Sequence, residues 1–187
     1  MLTQELTDLQ GQFAAVKVEA ADLVNGLTNV QFNWRSEAGR WSISECMAHL
    51  NIVGDRYVHL LEPTIAEAKA RGRTGGGPFG YGWLGKWILA NTEPPPKRKS
   101  NAGNFSATPA PDQPITAVLP TLLHQQDQMM RTIEAADGLD LTRVKVPVPG
   151  LGPMKLNLYV TLAWIAAHER RHLWQARQVR QHAGFPG

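Results

Sequence analysis

The sequence has a single cysteine, Cys46, in 187 residues. That excludes a disulfide within the chain and a cysteine-rich zinc site, so any metal must be held by His, Asp or Glu. No apolar run approaches the ~18 residues that a membrane-spanning helix needs. The N-terminus, MLTQELTDLQ, lacks a basic start followed by an apolar block. No signal peptide is expected, and the cytoplasm is the expected compartment. Charge of one sign is also scarce: the net charge is +3, despite a pI near 9.2. A dedicated nucleic-acid binder carries a denser basic face, so neither nucleic acid nor a membrane is an expected partner. A hydrophobic fraction of 43% and a charged fraction of 19% fit one domain over residues 1–187 with its own core.

Apolar periodicity organises the chain. Leu2, Leu6, Leu9, Phe13, Val16, Ala20, Leu23 and Leu27 recur at spacings of four and three. That pattern predicts a helix over about 2–26, with Gly26 and Asn29 as end signals. The connector VQFNWRSEAGRWS carries Trp34 and Trp41, and aromatics in a short connector plug the end of a core. Ser42-x-x-Glu45 is a capping box that starts a second helix. Ile43, Cys46, Met47, Leu50, Val53, Tyr57 and Leu61 form its inner face, to about Arg71.

Residues 72–113 break the pattern. They hold eight of the 17 glycines, six of the 13 prolines and a basic knot at Lys97, Arg98 and Lys99. WLGKWILAN within them predicts one or two helical turns. A connection this long inside a compact domain is either functional or mobile. Val118, Leu122, Met129 and Ile133 predict a third helix over about 113–136. Pro120 either kinks that helix or moves its start. Residues 138–156 read as irregular. The alternation in RVKVPVPG suits a short extended stretch, and its prolines argue against a central strand. A fourth helix follows from about Asn157 to His182. Four long amphipathic helices with no convincing sheet predict an all-α four-helix bundle, with a long crossover between helices 2 and 3.

The chemistry lies in the histidines. Of six, His168 and His172 stand four apart in H-E-R-R-H, one turn apart on the buried side of the fourth helix. Two imidazoles off water need partners, and a shared metal ion at ~2.0–2.1 Å is one. Two surface histidines beside Arg or Glu neighbours are the alternative. The literal HExxH pattern puts Glu169 in a metallopeptidase's general-base slot. Only His182 and no suitable carboxylate follow downstream, which disfavours that reading. His49 lies one turn or so inside the second helix, at the edge of its apolar stripe, and is the best third ligand. His59, His124 and His182 read as non-ligands.

Trp41, Ser42 and His49, followed far downstream by His168, His172 and Gln175 in HxxxHxxQ, resemble the DinB-like superfamily, also called the YfiT-like metal-dependent enzymes. The resemblance spans nearly the whole chain. It implies an up-down-down-up four-helix bundle, frequently a homodimer. It also implies a three-histidine site for a divalent ion with water completing the shell. Relatives include S-transferases that use low-molecular-weight thiols and a thiol-dependent isomerase, and many members have no assigned reaction.

Three neutral imidazoles with open positions describe a catalytic rather than a structural metal site. The expected cofactor is a divalent ion, and imidazoles suit zinc, nickel, iron and copper alike. Such an ion lowers the pKa of a bound water or thiol, so the expected partner is a small-molecule substrate, such as a low-molecular-weight thiol. A thiol transferase or hydrolase is the first reading, and a non-catalytic metal-binding or stress-response protein the alternative. Glu169 is placed to act as a general base, a fourth ligand or a hydrogen-bond acceptor for a ligand, with a plain salt bridge near Arg170 or Arg171 as the equal alternative, and Gln175 is placed to orient a ligand or a water. Tyr57 and Trp164 line either a cavity or the core. Cys46, lone and inward, reads as inert packing. Arg170, Arg171, Arg177 and Arg180 read as a solvated outer face.

Overall fold

The stripe of Leu6, Leu9, Phe13, Val16, Ala20 and Leu23 winds into α1 (Gln4–Val24) and is buried along its whole length. In the computed structural model, which describes residues 2–96 and 107–187, the chain is mostly helical. The expected second helix is here α3 (Ile43–Ala70), because a short helix, α2 (Asn29–Asn33), precedes it. Asn29 therefore begins an element rather than ending one. Thr28 and Gln31 form a capping box at its start.

The predicted capping box of α3 is present. The Ser42 hydroxyl accepts from the Glu45 N–H at 3.1 Å, and the Glu45 carboxylate accepts from the Ser42 N–H at 2.9 Å. Arg35 then grips the same carboxylate with two hydrogen bonds, of 2.8 and 2.6 Å. Burial pushes the Glu45 carboxyl up, but Arg35 and the Ser42 backbone outweigh it and hold it below 4.5.

The 72–113 connection contains α4 (Gly82–Thr92), longer than the one or two turns expected. It packs on the last long helix, where Gly85 makes close approach possible. A Cβ at that position would lie 2.7 Å from Val160 Cγ2. The basic knot Lys97-Arg98-Lys99 falls outside the described residues. α5 (Ile115–Ala135) starts at Pro114 and runs through Pro120, and α3 runs through Pro63. Neither proline ends its helix. Each is exposed, and so is the residue four positions earlier, Thr116 or His59. Water can therefore satisfy the carbonyl that proline leaves without a partner.

RVKVPVPG supplies β1 (Lys145–Pro147), paired antiparallel with β2 (Lys155–Asn157) in a small two-stranded sheet. The Asn157 side chain then accepts from the Val160 N–H at 2.8 Å and caps α6 (Leu158–Arg180).

α1 and α3 each pack against both α5 and α6. Gln10 meets Glu134, and Lys17 meets Asp127. Arg170 meets Gln12, and Arg177 meets Glu19. Asn51 meets both Val118 and Gln125. Tyr57 meets Trp164, and His49 meets His172. Arg170, Arg177 and Arg180 are thus more than a solvated face, since they tie α6 to α1. Arg180 also donates to the carbonyls of Asp22, Leu23 and Asn25 at the open end of α1. Among the described residues no helix is long and apolar enough to cross a membrane.

The core is two clusters. One gathers Phe13, Leu61, Met129, Ile133 and Ile165, and the other Val16, Met47, Leu50, Leu122 and Leu173. On α5 and α6 the buried polar residues Gln126 and Glu169 lie between the two.

Glu45→Ala removes half of the capping box and leaves Arg35 unpaired, and should destabilise the fold by about 2 kcal/mol in urea titrations at pH 7. Because the folded carboxyl titrates below 4.5, its contribution is complete above that pH. It is lost as pH falls through the folded value, so wild type and Glu45→Ala should converge in stability as the pH is taken below the ordinary carboxylate range.

Candidate metal centre

The cap at Ser42 fixes the start of α3, and Ile43 through Leu50 are then all buried. His49 emerges two turns in, 5% exposed, facing α6. His168 and His172 approach from α6, one half-buried and the other 8% exposed. One ring nitrogen from each of the three lies within 4.8 Å of the others. His49 Nε2 and His168 Nε2 are 3.3 Å apart. The ring centroids are 4.5 Å apart for His49 and His172, and 4.5 Å for His168 and His172. The three histidines singled out in the sequence therefore converge, although 119 residues separate the first two.

The protonation pattern follows from the neighbours. His49 Nδ1 lies 2.8 Å from the Ala107 carbonyl, which can only accept. The hydrogen-bond network thus assigns the proton to Nδ1 and leaves the Nε2 lone pair facing the other rings. His168 Nδ1 and His172 Nδ1 are buried with no hydrogen-bond partner. Burial first, then His49 and Arg171, push His168 down to about 3. Burial, His168, His49 and Arg171 push His172 well below 6.5. Burial lowers His49 too, against the opposing pull of Ala107. All three rings are therefore neutral at pH 7, the form that binds a metal.

Two tryptophans wall the cluster. Trp41 stacks on His172 at 5.7 Å and leans on His49 at 5.0 Å. Trp164 stacks on His168 at 4.9 Å and also meets Tyr57. Of the two roles open to Trp164, packing is thus joined to direct contact with the site.

The donor set fits a divalent ion. The 3.3 Å between the two Nε2 atoms is close to the edge of a tetrahedron built on ~2.0–2.1 Å bonds. The same distance also suits an N–H···N bond donated by His168. Either arrangement leaves His168 Nδ1 buried without a partner, so it is the convergence of a third ring nitrogen, from His172, that favours a shared ion.

The other candidates are sorted by the same geometry. Glu169 is 3% exposed but accepts from Gln126 Nε2 of α5 at 3.1 Å. Burial, opposed by Gln126 and Arg170, pushes its carboxyl up to about 8. Glu169 Oε2 and Gln126 Oε1 have no partner. No carboxylate joins the three histidines among the described residues. Gln175 is half-buried and interacts with the His172 ring. His59, His124 and His182 are exposed and stand outside the cluster. Cys46 is buried, and burial pushes its thiol up to about 12, so it stays protonated and inert.

Two partners were missed in the sequence. Ala107 acts through its backbone, which leaves no trace in residue type. Gln126 had a signal: it interrupts the inner stripe of α5 between Leu122 and Met129.

In metal-free protein, the His168 ring should keep the NMR shifts of a neutral imidazole from pH 8 down to about pH 5. A titration midpoint near its ordinary 6.5 would contradict the buried geometry.

A search of curated proteins found no match to the chain, nor did a search of solved structures. The family model of the DinB superfamily matches residues 12–176. That span takes in Trp41, Ser42, all three clustered histidines and Gln175. The chain belongs to the DinB superfamily.

Proposed function

We propose that the protein is a divalent-metal-dependent enzyme acting on a small molecule, of the thiol S-transferase or hydrolase type, with His49, His168 and His172 holding the ion. The observation that carries this reading is the convergence of three neutral imidazoles, with one ring nitrogen from each within 4.8 Å of the others. A divalent ion at such a site supplies Lewis acidity, which lowers the pKa of a coordinated water or thiol. The chain's own residues do the rest. The Ala107 carbonyl holds His49 in the tautomer that presents Nε2. Trp41 and Trp164 fix the ring planes and keep bulk water from their faces. Gln175 steadies His172.

The fold reading that goes with it is an up-down-down-up bundle of α1, α3, α5 and α6. It is supported by the order of cross-helix pairs. Gln10–Glu134 and Lys17–Asp127 run in opposite directions along α1 and α5, whereas Gln12–Arg170 and Glu19–Arg177 run together along α1 and α6. Asn51–Val118 and Gly54–Gln125 run together along α3 and α5.

A second reading, a non-catalytic metal-binding protein, draws on one observation. Glu169, the acid nearest in sequence, is turned to Gln126, which leaves the cluster without a carboxylate among the described residues.

Protein purified without a histidine tag should hold about one equivalent of divalent metal per chain after reconstitution. His49→Ala or His172→Ala should reduce this below about a tenth, and His182→Ala should leave it intact. A wild-type content below about a tenth overturns the metal site. Loss of metal on His182→Ala overturns the ligand assignment.

The loaded protein should conjugate a low-molecular-weight thiol to an electrophile, or hydrolyse a small ester, in a turnover screen. His49→Ala should abolish the activity. No turnover across either class favours the non-catalytic reading.

A further inference from the structure

Among the described residues, nothing covers the outer face of α4. Trp83 and Trp87 stand one turn apart there, 81% and 62% exposed, beside Leu84 at 39%. The helix cannot roll to hide them. Its inner face is locked by Gly85 against Val160, by the bond from Arg171 to the Asn91 carbonyl, and by the Arg170–Glu93 ion pair at its end. Exposed apolar patches rimmed by polar residues mark interaction sites.

Within α4 the sequence places one charged side chain, Lys86, and no acidic one. Between Glu67 and Glu93 the sequence places Lys69, Arg71, Arg73 and Lys86, and no acidic residue. Glu67 pairs with Arg71 and Glu93 with Arg170. Lys86 is exposed on α4 itself.

We propose that α4 docks the protein onto an anionic lipid surface. Trp83, Trp87 and Leu84 enter the boundary between headgroups and acyl chains, and Lys86 meets the headgroups. Tryptophan suits that boundary because its ring is apolar while its N–H stays wet. At 11 residues α4 is about half the length that a membrane span needs, so the docking is peripheral. A second copy fits this face less well, since isologous pairing of α4 would set two Lys86 side chains against each other. A nucleic-acid strand needs a groove that tracks its backbone, whereas these tryptophans stand on the outside of a helix. The proposal does not depend on the metal site.

The test is co-sedimentation of the full chain with vesicles of phosphatidylcholine alone, or with about a third phosphatidylglycerol. The protein should bind the anionic vesicles and not the neutral ones, and added salt should weaken binding. The double variant Trp83→Ser/Trp87→Ser should lower the partition coefficient about tenfold or more, and Lys86→Glu about fivefold. Both should keep the wild-type melting profile, because the side chains they change face water. No binding to anionic vesicles at low salt overturns the proposal, as does a double variant that binds as wild type. A double variant that changes the oligomeric mass but not vesicle binding makes the face a contact between copies, and overturns it. Tryptophan-dependent binding of a single-stranded oligonucleotide without vesicle binding does the same.

Discussion

Three imidazoles and a carboxyl are withdrawn from water in the middle of a helical core, and much of the structure answers that one constraint. Charged forms are excluded there: His168 is driven to about 3 and Glu169 to about 8. Both groups are therefore neutral at pH 7, and the core tolerates them as hydrogen-bonding groups rather than as ions. The apolar side chains accordingly divide into two clusters, with Gln126 and Glu169 between them. The hydrogen bonds within this polar layer are incomplete. His168 Nδ1, His172 Nδ1, Glu169 Oε2 and Gln126 Oε1 are all buried without partners. A protein that only needed a stable bundle would gain by replacing these residues with apolar ones. Their presence is an argument for function that is independent of any motif.

The helix starts turn this layer into a site with defined geometry. Ser42 and Glu45 set where α3 begins, and therefore how deep His49 sits and how it faces α6. Trp41 immediately precedes the cap, so the same capping box that places His49 also places the ring that stacks on His172. Arg35 reinforces the box from outside, which joins the connector before α3 to the alignment of the cluster. On the opposite side, Asn157 starts α6 directly out of β2, and the small sheet thereby fixes the register of His168 and His172.

The parts legible in the sequence were those written in side-chain periodicity and caps. The four long helices, the capping box at Ser42 and the convergence of His49 with His168 and His172 all depend on residue type at fixed spacing. What was not legible depends on backbone or on cross-chain contact. The Ala107 carbonyl has no signature, and the role of Trp164 depends on which ring it meets. α2 was hidden because its five residues are too few to display a period. Pro120 looks like a helix breaker until its solvent-facing side is known. The α6 arginines looked like a surface because charge predicts solvent well but says little about which partner a long side chain reaches across a helix groove.

The residues from His168 to Arg171, with His172, show why a motif string underdetermines chemistry. In just over one turn, the two histidines face His49 on α3, and Glu169 reaches Gln126 on α5. Arg170 binds Gln12 on α1 and Glu93 at the end of α4, and Arg171 donates to the Asn91 carbonyl. The literal HExxH pattern would need its glutamate beside the two histidines' shared ligand. Here the glutamate is committed to another helix, and the middle of the motif serves to register α6 against three neighbours. The same turn that gathers the imidazoles thus also seats α4, so the histidine cluster and the tryptophan-bearing face of α4 share one structural anchor.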